Sequence, residues 1–576
     1  IYKNIKDPKI SRDIKNIKET ANNFLNKWKG KINNLSPSDF LFCINEYQEI
    51  NEAIYKIATH SSLTFATNME DPEISKYNSS ISDEITEILS SLIFVTLELA
   101  KVDDNTINNW LNDKDAKIWK PYLNILRKRN PYLLEPLVEE ILIEKSATGR
   151  SAWVRLFDET SAALRFPFKN KSLTEAEILN LLSDVDPETR KIAGKSLSEV
   201  LENNKRIFGM ILNVISRDRF IEDNKRGFKR TMSSRNLDND VEDEVVDKLV
   251  NTVDKAMPKL THRYYKWKAN QFGQSTLDWW DRNAPLPHSS ENLIKWSDAK
   301  DIILGSFSSF HPEISNLAEL FFKNNWIDAS LRKGKASGAF AHPSVPSLHP
   351  YILVNYQGKI RDVMTLAHEL GHGVHQILAG KNGLLMAETP LTLAETASVF
   401  GEMLVFRKLL DESSIAQKKQ LLSGKIEDML NTVARQIGFH QFEVKFHEAR
   451  IKSELTPDEI SNIWMETQSH AVGPHINLGD DYRFLWGYIP HFVHTPFYVY
   501  AYAFGDSLVN ALWYVYQQSD KEIFSSKYIE MLSSGGTKSH NDLLKPFNLS
   551  AYDNSFWEKG ITMITGLMDE LDDLDN

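Results

Sequence analysis

Residues 362–380 read Asp-Val-Met-Thr-Leu-Ala-His-Glu-Leu-Gly-His-Gly-Val-His-Gln-Ile-Leu-Ala-Gly. Val363, Leu366, Ala367, Leu370, Val374, Ile377 and Leu378 recur at the three- and four-residue spacing of one helical face. The spacing predicts an amphipathic helix over 362–379, with Asp362 as its N-cap and Gly380 just past its end. His368, His372 and His375 form a separate stripe, and burying three imidazoles is costly unless something satisfies them. His368 and His372 stand four apart, one almost above the other, so both can reach a single metal ion. Glu369 lies about a third of a turn away, beside the ion rather than on it. Zinc in such a site lowers the pKa of a water towards ~7, and the neighbouring carboxylate takes its proton. The chemistry implied is hydrolysis of a polarised carbonyl, most often a peptide bond.

A zinc hydrolase needs a third protein ligand and an open fourth position. The metzincin pattern would place a histidine six residues after His372, but that residue is Leu378. The remaining pattern is a downstream glutamate on a second helix. Pro390 and Thr392 are read as opening that helix, which continues through Ala394-Glu395-Thr396-Ala397-Ser398-Val399-Phe400-Gly401-Glu402. Glu395 and Glu402 are seven apart and share a face, with Ser398 between them. Glu395 is assigned as the third ligand of one Zn2+ per chain. Glu388 competes, but it lies before Pro390 and off the helix. Glu402 either accepts from a ligand imidazole and orients it, or is a solvated helix carboxylate.

The run His368 to His375, followed by Leu393 to Glu402, resembles the oligoendopeptidase F branch of the thimet-oligopeptidase family of zinc metallopeptidases. Trp280-Asp281 through Ala284-Pro285-Leu286, Gly334 to Phe340, Phe497 to Ala503 and Leu532 to Ser539 match further segments of that family. The likeness extends over residues 200–565 and is looser before them. It implies a mostly α fold, a large helical bowl with a deep substrate channel and a small β-sheet next to the zinc helix. Such a channel admits short unstructured peptides. Tyr351-Ile352-Leu353-Val354-Asn355-Tyr356 is β-rich and fits the strand. Its open edge would pair with a peptide by strand addition, or it is an ordinary edge strand. The resemblance also implies that a histidine and tyrosines downstream donate to the developing oxyanion. His491 and Tyr498 are the first choices and Tyr500 the third. Thr495-Pro496 reads as the N-cap and first position of a helix that puts Tyr498 and Tyr502 on one face. A tyrosine-rich helix serves equally well as core or pocket wall.

Composition fits this reading. Of the 576 residues 42% are hydrophobic, enough for a large core, and helical periodicity outweighs β-rich runs. The net charge of −11 argues against nucleic acid as a partner. The single cysteine, Cys43, permits no intrachain disulfide and fits a reducing, cytoplasmic setting, where it reads as a small buried hydrophobe. No stretch reaches the ~18 apolar residues of a membrane span. Pro167, Lys169 and Asn170 interrupt the helical pattern, and Ser172-Leu173-Thr174-Glu175 reads as a capping box beyond them. The expected division is an N-terminal helical domain over 1–170 and a catalytic domain over 171–576. Glycines between 473 and 487 mark loops expected to move, and the acidic tail from Met568 is expected to end in solvent. The function expected is a zinc-dependent endopeptidase of short oligopeptides, with Glu369 as general base. A zinc carboxypeptidase or dipeptidyl carboxypeptidase is the nearest alternative. A peptide-binding protein without catalysis is the remote one.

Overall fold

In the computed structural model, which describes residues 1–287 and 293–575, several helices start where a capping side chain meets a proline. Asp7, Ser36, Asp71 and Asp186 each accept from first-turn amides, and Pro8, Pro37, Pro72 and Pro187 follow them. Proline at that position gives up an N–H the helix could not have bonded, and its fixed φ suits the first turn. Helices make up 74% of the chain and strands form only small sheets, so the mostly α reading holds. No described helix is long and apolar enough to cross a membrane.

The chain forms two compact units, each assembled from three separated segments. Unit 1 comprises Ile1–Pro131, Glu291–Asp411 and Tyr516–Asn548, and unit 2 the remainder. This partition differs from the consecutive division expected at 170. Residues 167–170 instead make a hairpin between Phe166–Phe168 and Lys171–Leu173, inside unit 2. The capping box beyond it is formed by Thr174 with Glu177 rather than by Ser172 with Glu175.

In unit 1 the N-terminal helices close over a core in which Phe40 stacks on Trp110 at 4.3 Å. Cys43 is buried there, and Met386, from the segment after the His368 helix, packs into the same cluster. A three-stranded sheet lies beside that helix. Tyr351–Leu353 is its central strand, parallel to Ile327–Asp328 on one side and antiparallel to Phe340–His342 on the other. The open edge expected for 351–356 is therefore absent: Ile352 and Val354 donate their amides to Trp326 and Asp328.

Unit 2 is threaded by the helix Pro187–Arg226, whose buried Arg190 pairs with Asp281 at 2.7 Å. The glycine-rich stretch before His491 is anchored. Ile476–Asn477 pairs with Leu277–Asp278, Trp464 Nε1 donates to the Tyr482 carbonyl, and Trp486 Nε1 to Ser461 Oγ. The acidic tail is docked rather than free. Met568 and Leu571 are buried, Asp569 and Asp572 pair with Arg263, and Asp575 pairs with Lys419.

Candidate metal centre

The helix carrying the H-E-x-x-H motif spans Ile360–Ala379. Asp362 caps it from within the first turn, its carboxylate accepting from the Lys359 and Gln357 amides at 3.0 and 2.8 Å. Val363, Leu366, Ala367, Leu370, Val374 and Leu378 are buried, as the periodicity requires. Glycines let neighbours approach. A Cβ on Gly371 would sit 2.5 Å from the Ala397 carbonyl oxygen and 2.7 Å from Ser398 Cα. The motif helix thus meets the segment that carries Glu395 backbone to backbone.

That segment is not one continuous helix. Leu391–Ala394 forms a single turn, the helix Thr396–Asp411 follows, and Glu395 stands at the junction. Thr396 Oγ1 donates back to the Leu393 carbonyl at 2.6 Å, and the buried Tyr528 hydroxyl donates to the Thr396 carbonyl at 2.6 Å. Ser398 Oγ donates to Glu395 Oε2 at 2.7 Å, which fixes the carboxylate.

Here His368, His372 and Glu395 converge, with one ligand atom from each lying within 4.8 Å of the others. Glu395 Oε2 is 3.3 Å from His368 Nε2 and 3.4 Å from His372 Nε2. The remaining nitrogen of His368, Nδ1, is 3.4 Å from Glu402 Oε2. A proton on Nδ1, facing Glu402, would leave Nε2 as the lone-pair donor to an ion. Glu388 is not part of the cluster. Burial disfavours the charged imidazole of His368, but the carboxylates of Glu395 and Glu402 outweigh it and lift the group to about 10. Burial likewise raises Glu395, and the two imidazoles reverse that, holding it well below the usual carboxylate range. A cation bound here would take the place of a proton on these groups. Two imidazole nitrogens and a carboxylate oxygen, already converged, fit a first-row divalent ion.

Glu369 is buried on the same helix. Burial pushes its carboxyl up, while His368, His372 and the Ala341 amide favour the ionised form. Ala341 is the middle residue of the strand Phe340–His342, and its carbonyl accepts from Gln376 Nε2 at 3.0 Å. One strand residue thus engages two side chains of the motif helix. His375, the third histidine of the stripe, faces the interior. Its Nε2 is 3.4 Å from Thr389 Oγ1, and burial drives it down to about 4.

In unit 2, His491 begins the short helix His491–His494. Thr495-Pro496 does not start the next one, which begins at Tyr500. Between them Phe497 takes φ +62, a left-handed conformation costing about 1–3 kcal/mol for a side chain of this size. The turn brings the Tyr498 and His491 rings to 6.2 Å, nearly parallel, and the Tyr498 and Tyr502 rings to 5.1 Å, edge to face. His491 Nε2 is 3.2 Å from the Tyr502 hydroxyl. Tyr502 was visible in the sequence only as the face-mate of Tyr498, and it belongs to this cluster. Tyr500 does not: it is fully buried and its hydroxyl accepts from Asn239 Nδ2 at 2.9 Å. His494 pairs with Asp158 at 2.6 Å.

The profile of peptidase family M3 matches residues 180–563, and that described as oligopeptidase F matches residues 98–166. An oligoendopeptidase F homolog of Borreliella burgdorferi is 28% identical over 502 residues, covering 86% of this chain and 84% of the relative. A putative peptidase from Chlamydophila abortus superposes with a TM-score of 0.83 at 23% identity, over 94% of this chain and 91% of that one. Oligoendopeptidase-F from Enterococcus faecium gives a TM-score of 0.73 at 19% identity, over 98% and 97%.

Proposed function

This chain belongs to peptidase family M3 and is a metallopeptidase, and from that premise we propose that it is a zinc-dependent endopeptidase cutting internal bonds of short, unstructured peptides in the cytoplasm. The observation that carries the reading is the convergence of His368, His372 and Glu395, with Glu369 buried beside them.

Bound there, zinc would supply a Lewis acid that polarises the scissile carbonyl and makes a water acidic near neutral pH. His368, His372 and Glu395 would hold it. Glu402 keeps the proton on His368 Nδ1, and Ser398 keeps Glu395 turned to the site. Glu369 takes a proton from the attacking water as the C–O bond forms. It then delivers that proton to the amide nitrogen as the C–N bond breaks. His491 and Tyr498, with Tyr502 against them, donate hydrogen bonds to the oxyanion, each such donor being worth about 2.7–4 kcal/mol of barrier. Tyr500, spent on Asn239, is assigned to the core.

The test is digestion of peptide libraries with free and amidated C-termini by wild type and Glu369→Gln, with metal content measured in both. Internal cuts in both libraries are expected, with turnover about 10²–10⁴-fold lower in the variant and its metal retained. Cuts confined to free C-termini would make it a carboxypeptidase, and undiminished turnover in Glu369→Gln would remove the base from the mechanism.

A further inference from the structure

The turn that presents Tyr498 is gripped from behind by buried polar groups of unit 2. Phe497, at φ +62, is fully buried, and its amide donates to Glu443 Oε1 at 2.7 Å. Arg235 Nε donates to the neighbouring Pro496 carbonyl at 3.3 Å. The Arg219 guanidinium stands 5.3 Å from the centre of the Phe497 ring, and the His447 ring lies 4.6 Å from it. Glu443 is the unusual member of this set. It is 1% exposed, its Oε2 has no hydrogen-bond partner, and it makes no ion pair among the described residues. Burying a carboxyl with an idle oxygen is costly, and an apolar side chain would fill the space more cheaply. What an apolar side chain cannot do is accept the Phe497 N–H, which the left-handed turn aims at the helix Ala434–Lys452 rather than at a carbonyl of its own ladder.

We propose that Glu443 is a positioning residue for peptide hydrolysis, holding the Phe497 amide so that the turn keeps Tyr498 set against His491 and Tyr502. The inference rests on the reading of those residues as oxyanion donors. Its consequence is specific: losing the acceptor misplaces a group needed in the transition state and leaves ground-state peptide binding nearly intact.

Glu443→Leu removes the acceptor, and Glu443→Gln keeps one in the same place. In Glu443→Leu, kcat is expected to fall about 10²-fold with KM changed less than about threefold. Glu443→Gln is expected to restore kcat to within about threefold of wild type. Hydrogen exchange across 495–500 should quicken in the leucine variant and not in the glutamine variant. Should the leucine variant fail to fold, Glu443→Asp withdraws the acceptor by one methylene while keeping a carboxyl, and about a tenfold loss in kcat is expected. Unchanged kcat in the leucine or aspartate variant, or glutamine as impaired as leucine, overturns the proposal. Tyr498→Phe separates the two claims. If it leaves kcat untouched, the donor reading itself fails. If it lowers kcat while Glu443→Leu does not, only the positioning role is lost.

Discussion

A ligand histidine has two nitrogens, and the protein must settle which one carries the proton. At His368, proposed as a ligand, the group placed to decide is Glu402, 3.4 Å from Nδ1. Sequence spacing put Glu402 on the right face but could not separate an acceptor from a solvated carboxylate, because that depends on how closely two helices approach. Glu402→Ala is expected to weaken metal binding about 10–100-fold without unfolding the protein, as measured by chelator competition. Glu443 gives a prediction of a different kind. Burial pushes it up to about 8, above the ordinary value of 4.5. Between those values the native state holds a proton that the unfolded chain has released, so stability falls as pH rises through this window. Replacing it with glutamine removes the ionisation. Glu443→Gln should keep its melting temperature between pH 5 and 8 better than wild type, by an amount on the order of a few kcal/mol of unfolding free energy. Parallel melting curves would count against it.

Among the elements, the motif helix was the most legible, because twenty residues of apolar periodicity average out local noise. Its start moved by two residues, since the Asp362 carboxylate reaches backward to cap from inside. The sheet was harder to read. Strands of two and three residues carry too little alternation to fix their neighbours, so 351–353 looked like an edge and is central. The Thr495-Pro496 signal was overridden by tertiary bonds from Glu443 and Arg235, which hold a turn where local preference favoured a helix. Contact between the segments that carry His368 and Glu395 runs through Gly371. Gly371→Val must push Ala397 and Ser398 away, and with them Glu395. It should cost about 1–3 kcal/mol of stability. Metal affinity should fall with it, followed by calorimetric melting with and without added zinc. A variant that melts normally and binds metal normally would show that the close approach is dispensable.

For the molecule as a whole, family membership and helical class were readable because they rest on motifs and periodicity. The two units were not, because each joins at least one pair of segments separated by more than a hundred residues. One consequence concerns the division at 170. Met386 is buried among side chains from the first 123 residues, so residues 171–576 produced alone would bare Met386 and the surface around it. The fragment is expected to lack a cooperative melting transition and to bind a hydrophobic dye, and adding residues 1–170 in trans should suppress both. A fragment that melts cooperatively by itself would establish the consecutive division as a folding boundary. The same threading sets a schedule for the newborn chain. Residues 1–131 leave the ribosome first, yet the last piece of their unit, Tyr516–Asn548, arrives on the order of tens of seconds later. Until Met386 emerges, the amino-terminal helices wait with an unfinished apolar cluster, and what shelters them is a matter of chaperone supply and translation speed.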